Sequence, residues 1–382
     1  MAARRLGLAT VPVIWLDLSA EQARLLGVTL NRISGTWDEA LLARLLADLQ
    51  AAPDVDLSLS GFGEDEIRDL LRSLEVREKR ERPEAFDLDE ALEEARQAPR
   101  RSKPGDIWQC GDHRVCCGDA TDPLTVARLL DGAEPILLNT DPPYGVSLDG
   151  SWRDGVYNAL GPAEPTYLRT DPAGDSLGAT RAAGGAHGRS RGHRHTSISG
   201  DTRVDWSEAF ALVPSLKVAY VWHAAVHAAE VAAGLERIGF EIVSQVIWDK
   251  GLFAIGRSWY HWAHEPCWVV RRKGAKVPFR GSRDQATIWR APSPKMIMAG
   301  STERKEDHPT QKPLVLFETP IANHLRPGEA VYDPFLGSGT CLIAAERQGA
   351  VCYGCEIDPV YVDVILRRYE RFSGVEVVKL DG

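Results

Sequence analysis

No apolar run in the sequence approaches the roughly 18 to 20 residues that a membrane span needs, although 44% of its residues are hydrophobic. No apolar h-region follows Met1 either, so neither a membrane partner nor secretion is expected, and a cytoplasmic location is. Basic charge is scarce. The 45 Lys and Arg face 54 Asp and Glu, a formal net charge of −9, which taken alone argues against a nucleic-acid partner. An even cysteine count is also missing: seven cysteines point to free thiols in a reducing compartment. Cys352 and Cys355 form a CxxC with no second one to complete a zinc set, and they fall in an expected buried strand. Cys110, Cys116 and Cys117 near His113 read as small apolar packing in the same way, so no metal site is expected.

What charge there is, is unevenly spread. Acid crowds the N-terminal third, as in Glu64, Asp65, Glu66 and later Asp87, Asp89, Glu90, Glu93 and Glu94. By contrast Arg271, Arg272, Lys273, Lys276, Arg280 and Arg283 occur without one intervening acid. A second basic run holds Arg181, Arg189, Arg191 and Arg194 with His187, His193 and His195. Either run by itself reads as a solvated loop.

At 382 residues the chain has room for one large α/β domain and a smaller module. Residues 1–75 read as a small α/β unit: a strand at VPVIWLDL, helices from Ser19 to Gly27 and from Thr36 to Gln50, a strand VDLSLS, and a helix EDEIRDLLRSL. Thr36 is the expected N-cap of the second helix, with Glu39 completing a capping box. Residues 76–105 are charged and end in APRRSKPGD, the composition of a linker with room for some helix. From 106 to 382, a hairpin around Gly111-Asp112 precedes apolar strands that alternate with helices, the pattern of a mostly parallel sheet covered on both faces. Residues 150–200 turn to Gly, Ala, Ser, Pro, Arg and His, too little apolar surface to order a segment, so a flexible loop is expected.

Two corners of that second part carry chemistry. In NTDPPYGV, Asp141, Pro142, Pro143 and Tyr144 follow an expected strand; a turn accounts for them singly. In VYDPFLGSGT, Asp333 ends a strand, and Gly337 and Gly339 turn the chain into a helix whose first N–H groups are unpaired. No Lys follows these glycines, so the bend is not a P-loop, and it is not a complete GxGxxG. Glu356 closes the next strand about twenty positions on, where an acid can take both ribose hydroxyls of an adenosine, and Asp358 opens the following helix. Such a set suits an adenosine ligand without a triphosphate. S-adenosylmethionine, cationic at sulfur, fits beside Asp333.

These residues resemble the amino-methylating DNA methyltransferases, which methylate adenine N6 or cytosine N4. DPPY at 141–144 is similar to their catalytic tetrad, DPFLGSGT at 333–340 to their cofactor loop, and HPTQKP at 308–313 to the segment before it. The order, tetrad first and cofactor loop last, resembles the permuted beta group. The resemblance implies a Rossmann-like methyltransferase fold, S-adenosylmethionine as cofactor and double-stranded DNA as substrate. It assigns Asp333, Phe335, Gly337, Ser338, Gly339, Thr340, Glu356 and Asp358 to the cofactor. It likewise assigns Thr310 and Lys312 to the cofactor's methionine end, and Asp119 in GDA to its adenosine.

Residues 251–306 resemble the family's target-recognition region, which implies that Arg271, Arg272, Lys273, Lys276, Arg280 and Arg283 meet DNA. Trp259, Tyr260, Trp262 and His264 offer aromatic surfaces beside the base pocket or core packing. The first 75 residues resemble the latter part of a ParB-like domain without its upstream strands and phosphate-binding segment, so nucleotide hydrolysis is not expected of them. A cognate restriction nuclease, and a monomer or homodimer, are compatible with the resemblance.

An exocyclic amine is a poor nucleophile because its lone pair is delocalised into the ring. Asp141 and the Pro142 carbonyl can each accept one of its N–H groups, the prolines holding that carbonyl still, while Tyr144 stacks on the extruded base. Aspartate at the first tetrad position resembles the adenine enzymes, so adenine N6 is the expected target and cytosine N4 the alternative. A DNA-binding accessory protein with an inactive methylase half is the reading from a different class. It is disfavoured because no tetrad or glycine-loop residue is replaced.

Overall fold

The computed structural model describes residues 10, 14–32, 37–53, 55–84, 86–145, 202–254, 259–291 and 312–380. The expected loop over 150–200, Thr36, Thr310 and parts of 251–306 lie outside them. In chain order the strands are β1 (Ile107–Cys110), β2 (His113–Cys117), β3 (Leu137–Thr140), β4 (Val218–Trp222), β5 (Phe240–Ala254), β6 (Trp262–Arg272), β7 (Ile288–Arg290), β8 (Ala330–Asp333), β9 (Val351–Glu356) and β10 (Val378–Leu380). They form one sheet in the order β10-β1-β2-β9-β8-β3-β4-β6-β5-β7. Its centre, β2-β9-β8-β3-β4, is parallel throughout. β3 and β4 are buried at every position, as a strand covered on both faces must be. The hairpin at Gly111-Asp112 joins β1 to β2 as expected. Beyond β4 the sheet turns antiparallel through β6 and the long β5.

Ahead of β1 the regular structure is helical: α1 (Ala20–Arg32), α2 (Glu39–Gln50), a 3-10 turn at Leu57–Ser60, α3 (Glu64–Glu81) and α4 (Leu88–Gln97). Neither of two expected strands is found among the described residues. Residues 14–18 of VPVIWLDL are irregular and leave Ile14 and Trp15 exposed. VDLSLS closes into the 3-10 turn, where the Asp56 carboxylate accepts the Ser58 N–H at 2.9 Å. A strand must pair its backbone groups with a neighbour, and among the described residues none precedes β1, so local capping prevails. Ser19 and Gln22 exchange side-chain bonds to each other's N–H at 3.1 Å, a capping box for α1. Asp38 receives the Leu41 N–H at the start of α2. Val28, Leu42, Leu46, Phe62 and Ile67 form a small core here.

One face of the sheet is covered by α5 (Pro123–Leu130), α6 (Ser207–Ala211) and α7 (Ala228–Arg237), which bury Val126, Leu129, Phe210 and Leu235. The other is covered by α8 (Val315–His324), α9 (Thr340–Gln348) and α10 (Pro359–Ser373), through Phe317, Ile321, Leu342, Ile343 and Ile365. Asp122 and Asp358 start α5 and α10 by one device, an acidic N-cap followed by proline in the first turn. The N-terminal helices dock on the second layer. α4 sets Leu88, Ala91, Leu92 and Ala95 against Val364. Asp363 accepts the Arg101 and Ser102 N–H groups at 3.1 and 2.9 Å, and Lys79 reaches Glu346 at 2.9 Å. Residues 76–105, expected as a linker, therefore carry a packed helix whose charges face water and disguise it in the composition.

Among the described residues no helix is long and apolar enough to cross a membrane, and no cluster of His, Cys, Asp or Glu suits a metal ion. All seven cysteines are buried and free. Leu92→Ala tests the docking of α4: it should cost about 2 to 4 kcal/mol in denaturant unfolding. A loss under about 0.5 kcal/mol, the range of surface substitutions, would mean that 88–97 is a detached linker.

Candidate active site

Strand register decides which corners meet. Leu137 pairs with Val331 and Leu138 with Tyr332, so the chain leaves β3 and β8 side by side. Just past the last pair, the Thr140 hydroxyl donates to Asp333 Oδ1 at 2.7 Å. The corner Asp141 to Tyr144 and the bend Asp333 to Thr340 thus stand side by side at the carboxyl ends of adjacent parallel strands, where α/β sheets bind ligands. Trp206 ties the two together. Its Nε1–H donates to the Pro143 carbonyl at 2.9 Å, and its ring meets Phe335 edge-on at 4.8 Å. Asn139, fully buried, donates from Nδ2 to the Phe317 carbonyl at 3.0 Å and so holds the first turn of α8 against β3.

Lys312, three residues before α8 begins, reaches into the corner. Its Nζ lies 2.6 Å from Asp141 Oδ2, 2.8 Å from Glu265 Oε2 and 2.7 Å from the Tyr144 hydroxyl. That hydroxyl donates to Asp141 Oδ1 at 2.7 Å and lies 3.1 Å from Glu265 Oε2. Lys250 meets Glu265 Oε1 at 2.5 Å. Two ammonium groups and two carboxylates balance in a place poor in water, as buried charges must. Loss of water pushes the Asp141 carboxyl up, against the pull of Lys312. For Glu265 the same loss is outweighed by Lys312 and Lys250, which hold it at about 2. Loss of water would pull Lys312 down, but Asp141 and Glu265 keep it raised. Glu265 is thus an anchored anion, while Asp141 keeps the higher affinity for a proton.

In the glycine bend, Gly337 (φ 53°) and Gly339 (φ 86°) occupy the left-handed region that side chains avoid. Glu356 Oε2 accepts the Gly337 N–H and Oε1 the Asp358 N–H, both at 2.9 Å. Burial raises Glu356 to about 7, the two N–H groups only partly opposing it. Asp333 is raised to about 7 by burial too, against the Thr140 hydroxyl and the Phe335 N–H. Asp358 is committed to capping α10, accepting the Val360 N–H at 2.8 Å. Ser338 and Thr340 turn their hydroxyls inward to Arg368, 3.3 Å from each. Asp119 is exposed at the end of β2, where Gly118 donates to the Glu356 carbonyl at 2.9 Å, and its Oδ1 accepts from Thr121.

A DNA methylase family matches residues 137–367, which take in the tetrad, the cluster and the bend. The chain belongs to that family. A ParB-methyltransferase HTH domain matches residues 40–104, in keeping with the helical structure found there. Type II methyltransferase M2.MboI of Moraxella bovis is 28% identical over 169 residues, 41% of this chain and 60% of that protein. DNA adenine methyltransferase YhdJ of Escherichia coli (strain K12) is 32% identical over 112 residues, 28% of this chain and 37% of that one. The chain thus spans about a third to three fifths of the length of these relatives. The crystal structure of M1.HpyAVI aligns at 18% identity with a TM-score of 0.42, covering 66% of this chain and 96% of that one.

The methylase does not bring its basic run to the crevice. Because β6 is antiparallel to β4, Arg271 pairs with Val218 at the amino end of β4, while Glu265 lies past the carboxyl end. Arg272 is used by the fold: Nε donates to the Leu216 carbonyl at 2.7 Å, Nη1 to that of Ile238 at 3.2 Å, and the group covers the Phe240 ring. Arg271 pairs with Glu241 at 2.5 Å. Lys273 follows at the same far end. Lys276, Arg280 and Arg283 are exposed, on a segment that meets the last turn of α8, where Arg280 donates its N–H to the Asn323 carbonyl at 2.7 Å. Arg290, 3.5 Å from Asp249, stands on the site side of the sheet. Trp259 and Tyr260 stand exposed beyond Glu265 on the β5–β6 hairpin.

Sequence reasoning missed Glu265, Lys250, Trp206 and Arg368. A signal existed for Glu265, a lone acid inside the apolar stretch HEPCWVV, since an unpaired buried charge is rarely tolerated.

A carboxyl raised by folding binds its proton more tightly in the folded than in the unfolded chain. Its stabilising contribution is complete below the ordinary 3.8 and is lost as pH rises through about 7. Asp333→Asn, always neutral, should therefore gain in melting temperature relative to the wild type as pH rises from about 5 to about 8. A difference that does not change with pH would mean that Asp333 ionises normally.

Proposed function

We propose that this methylase is a site-specific DNA methyltransferase that moves a methyl group from S-adenosylmethionine to the N6 amine of an adenine flipped out of duplex DNA. The observation that carries this reading is the adjacency of the two corners: the Thr140 hydroxyl, next in the chain to Asp141, donates to Asp333 Oδ1 at 2.7 Å.

The bend fits the cofactor. A Cβ on Gly337 would meet nothing within 4 Å, so ligand space lies beside its backbone. Each Glu356 oxygen takes one backbone N–H and keeps a second lone pair for a ribose hydroxyl. Asp333 offers negative charge beneath a sulfonium and Asp119 lies on the adenosine side, while Lys312, expected at the methionine end, spends its ammonium on Asp141, Glu265 and Tyr144; Thr310 lies outside the described residues. Phe335, Ser338, Gly339, Thr340 and Asp358 shape the bend and the helices on either side of it. Once bound, S-adenosylmethionine supplies a methyl group on a cationic sulfur.

The remaining work falls to the corner. Asp141 already holds two donors, the Tyr144 hydroxyl and Lys312, so an arriving amine N–H exchanges for one of them and never leaves the carboxylate bare. Lys312 keeps Glu265 as its counter-ion throughout. The Pro142 carbonyl accepts the second N–H, stiffened by its neighbour, which aims the nitrogen lone pair along the crevice. Because Asp141 is held above the ordinary carboxylate range, its Oδ2 accepts the proton that the methylated amine sheds. Tyr144, its hydroxyl pinned at 2.7 Å to Asp141, presents a fixed ring to the extruded base, whose unstacking costs a few kcal/mol.

Tritiated methyl transfer to unmethylated duplex DNA tests this directly. Asp141→Ala should lower the rate by about 10²-fold or more while binding of S-adenosylhomocysteine stays within about twofold, a factor worth less than about 0.5 kcal/mol. Equal counts from variant and wild type would remove the catalytic assignment, and N4-methylcytosine in the digested product would redirect the target base. Cofactor affinity should also fall as pH drops below about 7, because Asp333 and Glu356 then take up protons. Calorimetric titration at several pH values measures this.

A further inference from the structure

The glycine bend is held from outside the sheet, through an arginine on α10. Ile365 and Arg368 are neighbours on one face of that helix. A Cβ on Gly339 would come within 3.2 Å of Ile365, so the bend lies flat against α10. Arg368 Nη1 donates to the Ser338 carbonyl at 2.9 Å and lies 3.3 Å from the Ser338 and Thr340 hydroxyls. The other edge of the same guanidinium faces the N-terminal domain. Nε and Nη2 donate to the two oxygens of Glu84 at 2.6 and 3.1 Å, and Phe86 covers the group at 4.1 Å. Glu84 and Phe86 lie within the stretch that matches the ParB-methyltransferase HTH domain. Arg368 is buried, and a buried cation keeps its place only while a counter-ion is supplied.

We infer that the Glu84–Arg368 pair positions the cofactor bend, so that cofactor affinity is set in part by the N-terminal helical domain. The inference rests on the reading that the bend holds S-adenosylmethionine. Two glycines of positive φ within three residues make a segment with large conformational freedom, and a ligand that must order such a segment loses affinity by doing so. Arg368 removes that loss by tying the Ser338 carbonyl and both hydroxyls to a rigid helix. Glu84 keeps the guanidinium turned inward, and without it the head group has reason to move toward water. The pair acts on the bend and touches no reacting atom.

Plain support of the fold is the competing role, and Leu92→Ala separates the two. It loosens the same docked helix, in the cluster that Phe86 joins, while both members of the Glu84–Arg368 ion pair keep their side chains. On the full chain, at a temperature well below every melting transition, Glu84→Gln should weaken binding of S-adenosylhomocysteine by about tenfold. It should raise the KM for S-adenosylmethionine by a larger factor than it lowers kcat. Leu92→Ala, although it costs more stability, should bind within about twofold of wild type, a change of less than about 0.5 kcal/mol. Wild-type binding by Glu84→Gln, or affinities in the two variants that simply follow their melting temperatures, would overturn the inference. Failure of the unaltered protein to bind either compound would overturn the cofactor reading itself, and this inference with it.

Discussion

A hydroxyl-to-carboxylate hydrogen bond between two neighbouring parallel strands sets the geometry on which the rest of the methylase depends. Thr140 on β3 and Asp333 on β8 can meet because the register aligns the strand ends. Both strands run the same way, so both corners face one side. One extra strand between them would part the corners by about 4.8 Å, more than the bond could span. The helical layers on the two faces keep water from the central strands, and both corners emerge at their carboxyl edge.

Around that bond the charges divide their labour. Lys312 sits between two carboxylates that would otherwise compete for it, and Lys250 resolves the competition by taking the far oxygen of Glu265. Glu265 then stays ionised over the whole ordinary pH range, held at about 2, while Asp141 keeps a raised affinity for protons. Buried ion groups are seldom retained for stability, since well-packed apolar side chains do as well or better. Retention of four of them next to a proline-stiffened corner is consistent with a task that needs both a fixed charge and a movable proton.

Legibility in the sequence followed the range of the forces involved. The strands of the parallel centre were legible because burial on both faces writes a continuous apolar run, as in ILL at 136–138 and VAYVW at 218–222. Acidic caps before proline marked α5 and α10 in the same local way. The front of the chain was misread as partly sheet because VPVIWLDL and VDLSLS have strand composition, and composition cannot say whether a partner strand exists. The docking of α4 was hidden in a charged stretch, since its apolar positions are few and its contact residue Val364 is far along the chain. Within the site, the tetrad and glycine bend were visible as contiguous text. Lys250, Glu265 and Arg368 were not, because each acquires its role from a partner on another element. The basic run misled in the opposite sense: six cations adjacent in sequence became structural ties and distant surface once β6 ran antiparallel to β4.

Arg368 has one edge in each half of the molecule, and this limits how the halves can be exchanged. A recognition head grafted from another protein would need an acid and an aromatic ring at the right height above α10, or the catalytic body would inherit an orphaned cation beneath its ligand loop. Modularity here has a border crossing, and chimaeras that ignore it should fold yet lose their grip on small molecules.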